Sequence, residues 1–247
     1  MIDHELMDLQ NKPGKASTGY MTSLPSLKAP FVFSCFNHTI FDMQVLTTSL
    51  ATPLPAICHA QPAISDYYSE STDIAEIHSM SMEQFAYPYA EWFFGDQADK
   101  FRFAHLQEAL TFVPFGVAVD EFQHICYAHP ELTPKERTYQ WHLLEEKYMP
   151  WRKYESNPFL ERGGYWYHKL HIYLYPFYYI NYTLTTWGRW SSRRSTPRTR
   201  PPAWQDYLKL CKTGGSRSYL ETLRYANLPI RSMPAPSSAP AATRRSS

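Results

Sequence analysis

Two carboxylates, one histidine and a cluster of tyrosines are the side chains of this 247-residue chain whose types and spacing suit chemistry. Glu76 and Glu83 stand seven residues apart in Ala75-Glu76-Ile77-His78-Ser79-Met80-Ser81-Met82-Glu83, which on a helix puts them two turns apart on one face. A glutamate on such a face is most often solvated; a ligand or proton-handling role is the other reading, and spacing alone does not choose between them. His171 with Tyr178, Tyr179 and Tyr182 forms a second set. A phenol donates a hydrogen bond without carrying charge at neutral pH, which suits a developing oxyanion, while an ordinary aromatic core accounts for tyrosines equally well. A third group, Arg189, Arg193, Arg194, Arg198 and Arg200, falls in residues 185–202 with no acid among them, a pattern that fits phosphate contact.

The elements that must carry these groups are mostly helical. From residue 71 to 184 the apolar positions recur at three and four. Residues 73–94 place Ile74, Ile77, Met80 and Phe85 on one helical stripe with Thr72 or Asp73 to cap its start. Thr133, Pro134 and Glu136 spell a capping box ahead of Trp141, Leu144 and Tyr148. Residues 165–184 read as an aromatic helix interrupted by Pro176, with Tyr165, Tyr167 and Tyr173 expected in the core. Residues 204–211 and 219–226 read as a helical pair, joined by a glycine turn with Ser216 as the next cap. In the first 45 residues, loop signals at 12–15 and 23–26 precede a short β-like run at 31–34. Hydrophobic residues make up 44% and aromatics 16%, enough to build a core and exclude general disorder. A net charge of +1 provides no global attraction for nucleic acid or membranes. No apolar run reaches the ~20 residues of a membrane span, no signal peptide is recognisable, and four scattered cysteines form no disulfide framework, so a cytoplasmic location is expected.

Seven blocks of this sequence, residues 6–15, 20–30, 75–83, 115–124, 159–164, 171–182 and 206–216, resemble the oligoendopeptidase F and thimet oligopeptidase group of zinc metallopeptidases, closest to the oligoendopeptidase F side. Together they span about 200 positions. They begin in the middle of the family's chain, so the sequence is expected to be a C-terminal part of a helical, zincin-like catalytic domain. The resemblance implies a zinc ion between two helices, one bearing His-Glu-x-x-His and the next a glutamate ligand, with the motif glutamate activating the metal-bound water. Carried over, Glu76 is the glutamate ligand, Glu83 its supporting partner, and His171, Tyr178, Tyr179 and Tyr182 belong to the aromatic helix that helps hold the substrate carbonyl. His38, His78, His105, His124, His129, His142 and His168 are expected to be structural or exposed.

The family's first motif histidine lies 28 positions before the glutamate ligand, which is Thr48 here, so Thr48-Ser49-Leu50-Ala51-Thr52 stands where His-Glu-Leu-Gly-His is expected. Thr48 and Thr52 cannot replace imidazoles as strong zinc ligands, and Ser49 cannot replace the carboxylate base. Neither Cys58-His59, whose neighbouring side chains diverge, nor His4-Glu5-Leu6-Met7-Asp8, which lacks a second histidine, offers a substitute. Written as ACC ACG AGC TTG GCC ACG CCT TTG, residues 47–54 read from the third base give His-Glu-Leu-Gly-His-Ala-Phe. The same shift restores family-like sequence after 185 and after 229, which points to slips of reading frame. The sequence therefore divides into a partial peptidase domain at 1–229, with aberrant segments at 47–59 and 185–202, and a low-complexity, disordered tail at 230–247. The expected function is a zinc endopeptidase acting on short peptides, present as a truncated and inactive copy that holds zinc poorly. Its alternatives are a non-catalytic helical peptide-binding module and, as a minor one, an Arg-rich nucleic-acid binder. Short peptides are the expected partners, with no nucleic acid or membrane. The faces around Ile74, Met80 and Phe85 are expected to lie exposed.

Overall fold

The computed structural model describes residues 1–16, 19–24, 27, 29–51, 70–193 and 200–228. Within them the chain opens on a small sheet of β1 (Met7–Gln10), β2 (Tyr20–Leu24) and β3 (Ala29–Phe36), in the order β1-β3-β2. Strand β3 pairs parallel with β1, Met7 opposite Val32, and antiparallel with β2, Tyr20 opposite Phe33. Alternation of buried Pro30, Val32 and Ser34 with half-buried neighbours explains why only β3 is legible as a strand. The two edge strands are held by backbone pairing and carry no comparable pattern; the loop expected at 12–15 is a turn, whereas Ser23 and Leu24 of the loop expected at 23–26 pair as the end of β2.

Helix α1 (Ile40–Ala51) follows directly, its start fixed by the Asp42 carboxylate, which accepts from the backbone N–H groups of Asn37, His38 and Thr39. It packs along α2 (Thr72–Ala86), where the Ser71 carbonyl accepts from Ile74 and Ala75. The helix expected to run to Phe94 stops at Ala86, because Pro88 breaks the hydrogen-bond ladder. A single 3-10 turn at Tyr87–Tyr89 and the short α3 (Ala90–Phe94) take its place, ended by Gly95 at φ +52°.

The long α4 (Ala98–Ala128) and α5 (Pro134–Tyr148) form the main helical layer. The capping box of Thr133 and Glu136 is present. Phe115, Val119 and Phe122 of α4 bury against Trp141 and Leu144 of α5, with Trp166 and Tyr179 closing the cluster. Beyond α6 (Pro158–Glu161), Gly163 at φ +98° lies so close to α5 that a Cβ would sit 2.2 Å from the Thr138 carbonyl oxygen. The aromatic stretch then forms a 3-10 segment at Gly164–His168, α7 (Leu170–Leu174) and α8 (Ile180–Arg193). Tyr178 and Tyr179 thus sit in the turn before α8 rather than on a helix, with Phe177 left-handed at φ +61°. Tyr165 packs against the core as expected, whereas Tyr167 and Tyr173 are exposed because their segment lies along the surface.

Helices α9 (Arg200–Cys211) and α10 (Tyr219–Tyr225) form the expected pair. Their turn holds Gly214 at φ +52°, and Ser218 rather than Ser216 supplies the cap, in a box with Glu221. This pair covers α2: Ile74 is 2% exposed, and the Phe85 ring meets Trp204 and Tyr207 edge-on at 5.1 and 5.3 Å. The expected exposure around Ile74 and Phe85 is therefore overturned. Exposed apolar side chains lie instead on α3 and the outer face of α4, at Trp92, Phe93, Phe103 and Leu110. Prolines mark residues 52–62, but α1 continues as a regular helix to Ala51; the rest of that segment, residues 194–199, and the tail from 229 lie outside the described residues.

Two substitutions grade this packing. Phe122→Ala is expected to cost ~3–5 kcal/mol through the cavity it leaves, and Thr133→Ala ~1 kcal/mol through the lost cap, in urea unfolding followed by circular dichroism. Equal losses would contradict the contrast between a buried ring and an exposed cap.

Candidate functional site

Helix α2 presents Glu76 inward, 6% exposed, on the side where α8 crosses it. Tyr178 donates its phenolic hydrogen to Glu76 Oε1, and Tyr182 donates to the same carboxylate. These two rings are 5.4 Å apart and His171 lies 6.0 Å from each. Tyr179, its ring 5.1 Å from His171 and 5.5 Å from Tyr182, is itself buried against Phe112 and Phe115 in the main core. Tyr178, from the turn, and Tyr182, from α8, thus meet Glu76 while Tyr179 anchors the turn in the main core.

Burial pushes the Glu76 carboxyl up to about 7, and the nearby Glu83 adds to this, while the hydrogen bonds from Tyr178 and Tyr182 oppose it by favouring the ionised form. Burial, reinforced by the charge of Glu76, raises both phenols well above their ordinary range, so both stay protonated donors at neutral pH. Burial first, and the Lys169 ammonium second, push the His171 imidazole down, which favours its neutral form.

A cavity of about 250 Å³ adjoins this cluster, lined among others by Thr48 of α1, Met80 and Glu83 of α2, His105 and Phe112 of α4, and Tyr182 of α8. The Glu83 carboxylate pairs with His105 Nε2 at 3.0 Å and acts on Glu76 through its charge. Sequence reading left His105 among the structural histidines, and nothing in its local pattern links positions 22 apart on separate helices. Gly116 is equally needed here: a Cβ would lie 1.8 Å from Thr183 Oγ1, so its absence lets α8 approach α4 and sets the position of Tyr182. His78, next but one to Glu76, turns away, with Nε2 2.8 Å from the Glu70 carboxylate and Tyr207 packed edge-on against its ring.

Thr48 lies on the cavity wall, where its hydroxyl donates to the backbone carbonyls of Gln44 and Val45. Ser49 is buried, and Thr52 lies outside the described residues. Among the described residues no three His, Cys, Asp or Glu side chains converge as a metal-binding group. Glu76, already hydrogen-bonded by two phenols, and the Thr48 hydroxyl, committed to its own helix, do not make up the nitrogen, sulfur and carboxylate set that zinc takes. No helix among the described residues is long and apolar enough to cross a membrane.

This mostly helical fold is shared with solved peptidase structures. A PZ peptidase A structure with an inhibitor is similar at TM-score 0.88 and 46% identity, over 93% of this chain and 41% of that one. An oligoendopeptidase F structure gives 0.86 and 46% over 93% and 40%, and an oligoendopeptidase F from Bacillus anthracis gives 0.77 and 40% over 93% and 38%. No protein-family profile and no curated protein sequence matches the chain. The chain belongs to the oligoendopeptidase F family, and it spans about two fifths of the length of these structures.

The Glu76 carboxyl predicts a pH dependence. Its folded value lies above its unfolded one, so the folded chain holds an extra proton between about pH 4.5 and 7 and loses stability as pH rises through that window. Below the window both states are protonated; above it the penalty is constant, at most ~3 kcal/mol. Urea unfolding at pH 5 and pH 8 is expected to show this loss in the parent chain and not in Glu76→Gln. Identical pH slopes for the two chains would exclude a buried, titrating Glu76.

Proposed function

We propose that the chain derives from a zinc endopeptidase that hydrolyses short peptides by metal-activated water, and that in its present sequence it does not carry out that step. The observation that carries this reading is the position of Thr48. Helix α1 brings it to the cavity beside Glu83 and Tyr182, in the register where the family's first motif histidine belongs, with α1 packed on the helix that bears Glu76. When bound, zinc would supply Lewis acidity and a nucleophilic water; Thr48, Ser49 and Thr52 provide neither the ligands nor the base for it.

What the remaining residues do is hold a peptide. Tyr178 and Tyr182 are protonated donors, His171 is neutral and able to donate or accept, and Glu76 at about its midpoint near pH 7 accepts from both phenols. These groups suit a peptide carbonyl laid against the cavity, which favours the non-catalytic peptide-binding module as the activity that survives. Glu83 acts through its pairing with His105 to shape the cavity wall.

Zinc in the dialysed chain, measured by elemental analysis, is expected to be well below one per chain, with no cleavage of a quenched fluorescent peptide. Stoichiometric zinc or cleavage would overturn the reading. The triple variant Thr48→His, Ser49→Glu, Thr52→His is expected to regain one zinc per chain. Coding DNA read from the third base of codon 47 is expected to spell His-Glu-x-x-His; its absence would identify a diverged, metal-free relative instead of a frame slip. The Arg-rich alternative predicts salt-dependent oligonucleotide binding in titrations, which the peptide reading does not.

A further inference from the structure

Two cations sit on one phenyl ring at the far end of the site. The Phe115 ring has the Arg152 guanidinium 5.2 Å from its centre and the Lys169 ammonium 5.0 Å from it. Arg152 also covers Tyr165 at 4.3 Å, and Lys169 also covers Tyr179 at 5.3 Å. Arg152 has an acid beside it, since Glu145 Oε1 lies 3.6 Å from Nη1, but that carboxylate is buried and already accepts from the Tyr154 hydroxyl. The same guanidinium nitrogen is buried and makes no hydrogen bond. Lys169 is half-buried, and among the described residues its ammonium has neither an ion pair nor a hydrogen bond. The two cations therefore face one carboxylate, and the neighbouring His168 and His171 imidazoles are both pushed down, burial being the first cause, so they add no negative charge and little positive.

The site of excess charge lies in line with the cavity. Ala109 and Phe112 of α4 line the cavity wall, and Phe115 is the next residue along the same helical stripe, about one turn or ~5 Å further. Tyr179, which carries Lys169 on its ring, touches Phe112 on one side and His171, 5.1 Å away, on the other. A peptide backbone lying across His171, Tyr178 and Tyr182 would thus run toward Lys169 within one or two residues. Burial, with Arg152 second, pushes the Lys169 ammonium down, the expected response of a cation lacking a counter-ion. Aromatic faces stabilise such a cation only partly, whereas a carboxylate arriving from solvent would pair with it and relieve its repulsion from Arg152.

We propose that Lys169, backed by Arg152, forms a carboxylate-recognising subsite that takes a carboxylate of the bound peptide, at its C-terminus or on an acidic side chain. This rests on the peptide-binding reading above. It assigns Lys169 to direct ligand contact and Arg152 to a positioning role, since the latter is tied to Glu145 and two rings.

The test is fluorescence polarisation of the full chain with three dye-labelled alanine–phenylalanine hexapeptides. One ends in a free carboxylate, one is C-terminally amidated, and one is amidated with a glutamate at position five. At least one carboxylate peptide is expected to bind about tenfold more tightly than the neutral amide, the value of one charge-assisted hydrogen bond. Which of the two does so identifies the source of the carboxylate. Lys169→Met is expected to abolish the preference for the carboxylate peptides, and Lys169→Arg to keep it. Equal binding of all three peptides by the parent chain overturns the subsite and leaves the peptide reading standing. Binding of none overturns both. A preference that survives in Lys169→Met also overturns the subsite, and because the first comparison uses the unmutated chain, misfolding of that variant cannot hide the outcome.

Discussion

A carboxylate taken out of water is the constraint on which the arrangement of this chain turns. Glu76 projects from α2 into a seam closed by α1 and α8, and an ionised carboxylate there is costly unless hydrogen bonds or a cation replace its hydration. Two phenols provide part of that replacement and leave the carboxyl close to half protonated at neutral pH. For the phenols to arrive, the chain must turn at Pro176, begin α8 at Ile180, and bring α8 against α4 at Gly116. Each of these features belongs to a different stretch of sequence, and each fails in its purpose if the others move.

The cavity beside this carboxylate combines an apolar wall with one polar pair. Phe41, Val45 and Phe112 exclude water from one side, while His105 and Glu83 supply a hydrogen-bonded pair on another. In a low-dielectric setting such a pair is strong only if both partners are held, and here the helix of His105 packs in the main core while that of Glu83 packs against α9 and α10. Thr48 completes the wall without offering a strong ligand, because its hydroxyl is satisfied by its own helix. The chemistry of this cavity is therefore that of hydrogen bonding.

Apolar exposure follows the same logic of partners. α9 and α10 cover α2, but Trp92, Phe93, Phe103 and Leu110 on α3 and α4 face solvent. The solved relatives are more than twice as long as this chain.

Local sequence by itself determined the helix periods, the capping box at Thr133, the break at Pro176 and β3, because each follows from interactions among residues within a few positions of one another. The nine-residue block around Glu76 likewise marked the helix whose carboxylate is buried under Tyr178 and Tyr182. The register of 28 residues pointed to Thr48 before any coordinate was known. Only tertiary structure decided which tyrosines reach Glu76, since Tyr178 and Tyr179 are identical in type and separate only through the turn that holds them. It also decided that Glu83 pairs with His105, that Phe85 is covered by α9, and that β1 and β2 pair with β3. These outcomes depend on which surfaces meet across long stretches of chain, and the cost of burying a charge or an apolar ring is known only once its neighbours are in place.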